Sequence, residues 1–245
     1  MKVVLPMAGS GSRFKKKGES IPKPLIQTGG KPLFWWALQS IKNIKYSELI
    51  IIALDTHDKT YNLKRVFNKL GYKNVTFVFL DDVTEGQLCT VLAAKNIINN
   101  EEDILITNSD TFVISEIGKD IENKSEKCHG IISVANVVGD QWSFARTDQN
   151  GKVIEVAEKN RISNNASTGI YYFSEGIRFV EFAEKIIANK QKTKGEYYIM
   201  PLYQKYIDNG LKINISKATK MWDLGTPDNL SKFTKIYLNG LSVIS

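Results

Sequence analysis

An apolar run empties into a loop of small residues at the head of this chain: Lys2-Val3-Val4-Leu5-Pro6-Met7, then Ala8-Gly9-Ser10-Gly11-Ser12-Arg13-Phe14. A short apolar run bounded by turn residues reads as a buried strand. Further apolar runs at Leu49–Leu54, Val75–Leu80 and Asp103–Thr107 are separated by helical patterns. These cover Pro32–Ile41, Lys59–Leu70 and Glu85–Ile98, with Pro32 placed in the first helical turn. Strands alternating with helices predict a parallel sheet wrapped on both faces.

After Cys128 the rhythm shortens. Gly130–Val138, Ser143–Thr147, Val153–Glu158 and Ala166–Phe173 read as mixed or antiparallel strands, with Gln149-Asn150-Gly151 as a hairpin turn. Helices at Glu175–Asn189 and Glu196–Ile207, a strand at Lys212–Ser216 and a last helix opened by Thr226-Pro227 complete the pattern. The expected fold is α/β: a Rossmann-like three-layer sandwich with a mostly parallel central sheet and a smaller mixed sheet layer on the substrate side. No linker-like tract divides the chain, so residues 1–245 read as one domain with halves over 1–127 and 128–245.

Composition removes several classes. With 42% hydrophobic and 24% charged residues among 245, the chain is neither disordered nor fibrous. Its longest apolar run, Leu49–Leu54, is far short of the roughly 20 residues that span a bilayer. No secretory leader is legible at Met1–Pro6, and cytoplasmic residence with no membrane partner is the expectation. Cys89 and Cys128, with only His57 and His129, assemble neither a zinc cluster nor a disulfide framework. The formal charge of +7 suits an anionic partner. Because the basic residues are scattered apart from Lys15-Lys16-Lys17, a nucleic-acid module rests on charge alone, and no nucleic-acid partner is expected.

Chemistry concentrates at a few places. Glycine lets backbone N–H groups approach a phosphate closely, since no Cβ intervenes and positive φ is accessible. Arg13 adds a bidentate grip and Lys23, in Pro22-Lys23-Pro24, a compact point charge. The loop lacks the Gly-Lys-Ser/Thr ending of an ATPase loop and the third glycine of a dinucleotide fingerprint. Gly9 and Gly11 as a plain tight turn stays open at this level. Asn108-Ser109-Asp110 falls at a strand's carboxyl end, where ligands gather in open α/β sheets. Asp110 is a candidate for a hard cation, and Asp223, in Met221-Trp222-Asp223-Leu224-Gly225-Thr226-Pro227, offers a second carboxylate. Capping or loop roles for both aspartates are the competing reading.

Taken in order, the glycine loop with Arg13, Lys23 in Pro-Lys-Pro, Ser109-Asp110, Glu158-Lys159, Thr168-Gly169 and Trp222-Asp223-Leu224-Gly225-Thr226-Pro227 resemble the sugar-1-phosphate nucleotidyltransferases, or nucleotide-sugar pyrophosphorylases, over nearly the whole chain. The resemblance implies a nucleotide-binding half over 1–127 and an acceptor-binding half over 128–245, that the amides of Ala8, Gly9, Ser10, Gly11 and Ser12, with Ser109, hold a nucleoside triphosphate, and that Gln87 contacts the base. It implies catalytic roles for Arg13, Lys23 and Lys159, acceptor contacts from Glu158, Lys159 and Gly169, and Mg²⁺ on Asp110 and Asp223. Met7-Ala8-Gly9 stands where many relatives carry successive glycines, and the hexapeptide-repeat extension of some relatives is absent. The short form looks most like enzymes of capsule or surface-polysaccharide precursors, and the resemblance admits a homo-oligomer.

The expected reaction joins a nucleoside triphosphate to a sugar 1-phosphate with loss of pyrophosphate. The alternative is a cytidylyltransferase acting on a non-sugar phosphate such as a phosphorylated amino alcohol, and a further one is a non-catalytic nucleotide-binding regulator. The aromatics Trp35, Trp36, Tyr197 and Tyr198 are expected in packing, while Trp142 is placed near the acceptor.

Overall fold

The structure, a computed structural model, describes residues 1–238. In chain order the strands are β1 (Lys2–Pro6), β2 (Gln27–Thr28), β3 (Lys31–Pro32), β4 (Glu48–Leu54), β5 (Val75–Leu80), β6 (Ile104–Thr107), β7 (Thr111–Ser115), β8 (Cys128–Ala135), β9 (Ser143–Thr147), β10 (Val153–Glu158), β11 (Ala166–Phe173) and β12 (Lys212–Asp223). The helices are α1 (Ser12–Lys15), α2 (Leu33–Gln39), α3 (Asp55–Tyr61), α4 (Leu63–Lys69), α5 (Gln87–Leu92), α6 (Lys95–Ile98), α7 (Ile117–Glu122), α8 (Gly176–Ala188), α9 (Met200–Asp208) and α10 (Pro227–Phe233).

One large sheet, in the order β5-β4-β1-β6-β11-β8-β12-β7, organises the molecule, and β2 and β3 form a separate antiparallel ribbon. The first four strands are parallel to one another. Successive side chains of a strand point to opposite faces, so each apolar run feeds two cores. Val4, Ile52 and Ile106 pack with α5, α8 and α9 on one face, and Val3, Ile51 and Leu105 pack with α2, α4 and α7 on the other. This is the expected three-layer, Rossmann-like arrangement. The mixed strands continue the same sheet, because β11 docks antiparallel on β6 and carries β8 on its other side. The hairpin of β9 and β10 hangs from β11 through the single pair Ala166 and Phe144.

Several expected boundaries move, each for a local reason. The helix expected over Lys59–Leu70 is two helices, broken at Asn62, whose φ of 51° ends α3 and whose side chain accepts from Arg65 N to cap α4. The helix expected from Glu85 starts at Gln87, after Gly86 at φ 138°, and divides again beyond Leu92. Pro32 caps α2 in an extended conformation and lies outside its first turn. The helix expected from Glu196 begins only at Met200, with Pro201 in its first turn, leaving Glu196–Ile199 as a connecting segment. The expected strand Lys212–Ser216 runs on to Asp223, pairing first with β8 and then with β7. Neither β7 nor α7 was anticipated, since Thr111–Ser115 follows Asp110 without a turn signal.

Candidate active site

The carboxyl ends of β1, β5 and β6 open on a cleft of about 490 Å³. At one end lies the glycine loop. Gly11 takes φ 63° and its Cα faces Lys23, whose Cβ would stand 3.3 Å from an added methyl. Around Gly9 nothing lies within 4 Å of such a methyl, so this residue borders open space. Among the described residues, the N–H groups of Gly9 through Arg13 have no acceptor outside their own short helix. Phe14, buried with Leu33, Trp36 and Phe233, anchors the far side of the loop. Lys23 stands on a single 3-10 turn, Lys23–Leu25, between two prolines that fix its backbone.

Lys23 Nζ donates to Asp110 Oδ2 at 2.7 Å, with both side chains about one-fifth exposed. Burial opposes ionisation of Asp110, but the Lys23 ammonium and the Arg13 guanidinium outweigh it and hold this carboxyl below the usual carboxylate range. Asp223 arrives on β12, paired with Thr111, the residue after Asp110. Its Oδ1 accepts from Gly225 N at 2.8 Å and its Oδ2 from Asn229 Nδ2 of α10 at 2.6 Å. Burial, together with the neighbouring Asp110 charge, pushes the Asp223 carboxyl above its ordinary range. Gly225 lies between the two: an added Cβ would be 2.8 Å from Asp110 Oδ2 and 2.8 Å from Asp223 Oδ1.

At the other end, Glu158 closes β10 and its carboxylate accepts from Ser143 Oγ. Burial raises the Glu158 pKa against that bond. Lys159 takes a left-handed φ of 53°, and its ammonium lies over the Tyr198 ring, 4.3 Å from the centroid, bonded to the Tyr198 hydroxyl. Gly169 at φ 84° makes an irregularity in β11, and its carbonyl accepts from Asn108 N at 2.9 Å. A methyl there would meet the Asn108 side chain at 2.2 Å. Gln87 Nε2 donates to Asn108 Oδ1 at 2.6 Å, so Asn108 links the two ends of the cleft.

Ala8, Gly9, Ser10, Gly11, Ser12, Arg13, Lys23, Gln87, Ser109, Asp110, Glu158, Lys159 and Gly169 all line this one cleft. Asp223 is the exception, set behind Gly225 with its carboxylate held by neighbours. Trp36 and Tyr197 are buried as expected. Tyr198 departs from expectation: the segment before α9 is not helical, and the ring turns into the cleft with Glu196. Trp142 also lines it. Both cysteines are free, and the described residues hold no group of three or more His, Cys, Asp or Glu suited to a metal. No helix among them is long and apolar enough to cross a membrane. Sequence reading missed Gly86, Asn108 as a linker, Gly225 and Asn229. Gly225 and Asn229 carried a signal, as both fall within or beside the Trp222–Pro227 motif.

Residues 2–240 match the family described as Nucleotidyl transferase. The crystal structure of the nucleoside-diphosphate-sugar pyrophosphorylase from Vibrio cholerae RC9 superposes with a TM-score of 0.82 at 30% identity, covering 95% of this chain and 99% of that one. The chain belongs to the sugar-1-phosphate nucleotidyltransferase family. Another sugar-phosphate relative is the glucose-1-phosphate thymidylyltransferase of Neisseria meningitidis, 21% identical over 94% of this chain and 80% of that protein. The bifunctional protein GlmU of Aquifex aeolicus is 24% identical over 95% of this chain but only 53% of its own length. The chain thus spans about half the length of the GlmU relatives it matches. The fold is shared further with the inositol-1-phosphate CTP transferase from T. maritima, with a TM-score of 0.75 at 15% identity and coverage of 96% and 93%.

Proposed function

We propose that this nucleotidyltransferase joins the α-phosphate of a nucleoside triphosphate to the phosphate of a sugar 1-phosphate, releasing pyrophosphate. The observation that carries the reading is one cleft with an unblocked glycine loop, in which Lys23 and Arg13 act on Asp110 at one end and Lys159 stands at the other. An acceptor phosphate oxygen attacks the α-phosphorus; the new P–O bond forms as the bond to the bridging oxygen breaks, and pyrophosphate leaves with that electron pair. Several negative charges meet in such a complex, so positioning and neutralisation dominate. The loop amides and Arg13 hold the triphosphate, Lys23 answers the charge at the reacting phosphates, and Lys159 orients the acceptor phosphate. Gln87 faces the base, and Glu158 with Gly169 receives the sugar.

Two hard carboxylates, with no group of three or more His, Cys, Asp or Glu suited to a metal among the described residues, fit Mg²⁺, which takes few carboxylates and fills its sphere with water and phosphate oxygens. The two carboxylates converge on one point, each with an oxygen 2.8 Å from where a Cβ on Gly225 would stand. When bound there, Mg²⁺ supplies neutralisation of phosphate charge.

The test is pyrophosphate release across CTP, UTP, dTTP, GTP and ATP against sugar 1-phosphates and phosphocholine, with EDTA as control. Release that requires one triphosphate, a sugar 1-phosphate and the divalent ion is expected, and Lys23→Ala lowers turnover on the order of 10²-fold. Release with phosphocholine alone assigns the chain to a non-sugar acceptor; a folded Lys23→Ala protein of full activity removes Lys23 from the chemistry.

A further inference from the structure

The segment between β8 and β9 walls the cleft beside Glu158 and Lys159, through Gln141 and Trp142. Among the described residues, 137–141 make no backbone-to-backbone hydrogen bond, so nothing in the sheet holds this wall. Three successive carbonyls are instead held by side chains. Arg161 Nη2 donates to Val137 O at 2.6 Å and to Gly139 O at 2.7 Å, and between them Val138 O accepts from Trp142 Nε1 at 3.1 Å. The same guanidinium reaches Asp140 Oδ1 through Nε at 3.1 Å and Ser163 O through Nη1 at 3.3 Å. Its carbon lies 4.7 Å from the Phe144 ring centroid, which fixes the plane of the fork.

Arg161 itself does not line the cleft. It follows Lys159 by two residues, and Lys159 N donates to Trp142 O at 2.9 Å, so the wall and the Glu158-Lys159 turn are bonded to each other at their near ends and clamped by Arg161 at their far ends. The tip is open to solvent, with Val138 93% exposed. Water can therefore replace the donors that Arg161 gives, at small cost to the fold, but water cannot hold residues 137–139, and with them the Val138 carbonyl that Trp142 Nε1 bonds, against the Lys159 turn. The guanidinium holds Val137 O and Gly139 O through Nη2 while Nη1 reaches Ser163 O and Nε reaches Asp140, a spread over three nitrogens that a single lysine ammonium does not reproduce.

We propose that Arg161 is a positioning residue for the acceptor, setting its affinity through Gln141 and Trp142 without touching either substrate. This rests on the reading of the Glu158-Lys159 end as the acceptor end. Three variants test it: Arg161→Ala, Arg161→Lys, and Asp140→Asn, which removes only the 77% exposed ionic partner. Steady-state kinetics with each substrate varied is paired with acrylamide quenching of Trp142, isolated by difference against the same variants carrying Trp142→Phe. Expected for both Arg161 variants are an acceptor KM raised about 10-fold, a kcat and triphosphate KM within about twofold of the parent, and greater quenching of Trp142; Asp140→Asn behaves as the parent. Unchanged quenching overturns the clamp. Greater quenching with an unchanged acceptor KM overturns its role in acceptor affinity. A rise in triphosphate KM instead overturns the assignment of the two ends, and full rescue by Arg161→Lys overturns the need for the three-nitrogen fork.

Discussion

Gly225→Ala places a methyl group where the two carboxylates meet. Its Cβ would lie 2.8 Å from Asp110 Oδ2 and from Asp223 Oδ1, whereas ordinary contact begins near 3.4 Å, so about 0.6 Å must be found on each side. Neither carboxylate can retreat freely. Asp110 Oδ2 is held by Lys23 at 2.7 Å, and Asp223 by Gly225 N at 2.8 Å and Asn229 Nδ2 at 2.6 Å. Overpacking of this kind costs about 1–3 kcal/mol of stability. The catalytic cost is larger, because misplacing reacting or charge-stabilising groups by about 1 Å removes on the order of 10²-fold in rate. The expected variant melts a few degrees lower, loses about 10²-fold in pyrophosphate release, and needs more divalent ion for half-maximal rate. Parental turnover with parental ion dependence would mean that the two carboxylates do not act together, and the proposed mechanism would lose its centre.

Asp223→Asn separates function from stability. Asp223 has its pKa raised by burial and by Asp110, so its ionised form costs the fold stability above that raised pKa, and the cost fades as pH falls through it. The asparagine variant should lose activity, and it also loses one of the two acceptors that Gly225 N and Asn229 Nδ2 use, so the check is the pH dependence. Its melting relative to the parent should fall on acidification, and a pH-independent difference counts against the raised pKa. Gly9→Ala and Gly86→Ala form a contrasting pair. The first adds a methyl to open space, so melting stays within about 0.5 kcal/mol of the parent while the triphosphate KM rises. The second, at φ 138°, drives a methyl to 2.4 Å from Tyr197 O and should cost about 1–3 kcal/mol, measured by denaturant melts. Equal melts for the two would contradict the packing described around Gly86.

What was legible from residues alone followed local signals. β1, β4, β5 and β6 announce themselves as apolar runs, and the glycine loop and Asp110 follow directly at strand ends, where the fold class already locates ligands. Features set by distant partners were not legible. The extension of β12 to Asp223 depends on β7, a hundred residues earlier in the chain, and polar Lys217, Thr219 and Lys220 disguise it as loop. Tyr198 was read as helix packing because Glu196–Ile207 has helical periodicity. In the fold, Leu88 N donates to Tyr197 O and Tyr197 N to Glu85 O, drawing that segment out of the helix and against Gly86. The role of Arg161 is invisible in sequence, since its acceptors are carbonyls about twenty residues away that any residue would supply.

The path of β12 carries a consequence for how this protein comes into being. Translation delivers β7 long before its strand partner exists, because β7 pairs only with β12 among the described residues. The parallel quartet and the glycine loop are all made before β7, but Asp223 enters only with β12, after every other described strand. Such late, long-range pairing is slow relative to local structure. The carboxylate pair is thus closed by order of synthesis: until β12 has been made, Asp110 has Lys23 beside it and lacks the second carboxylate.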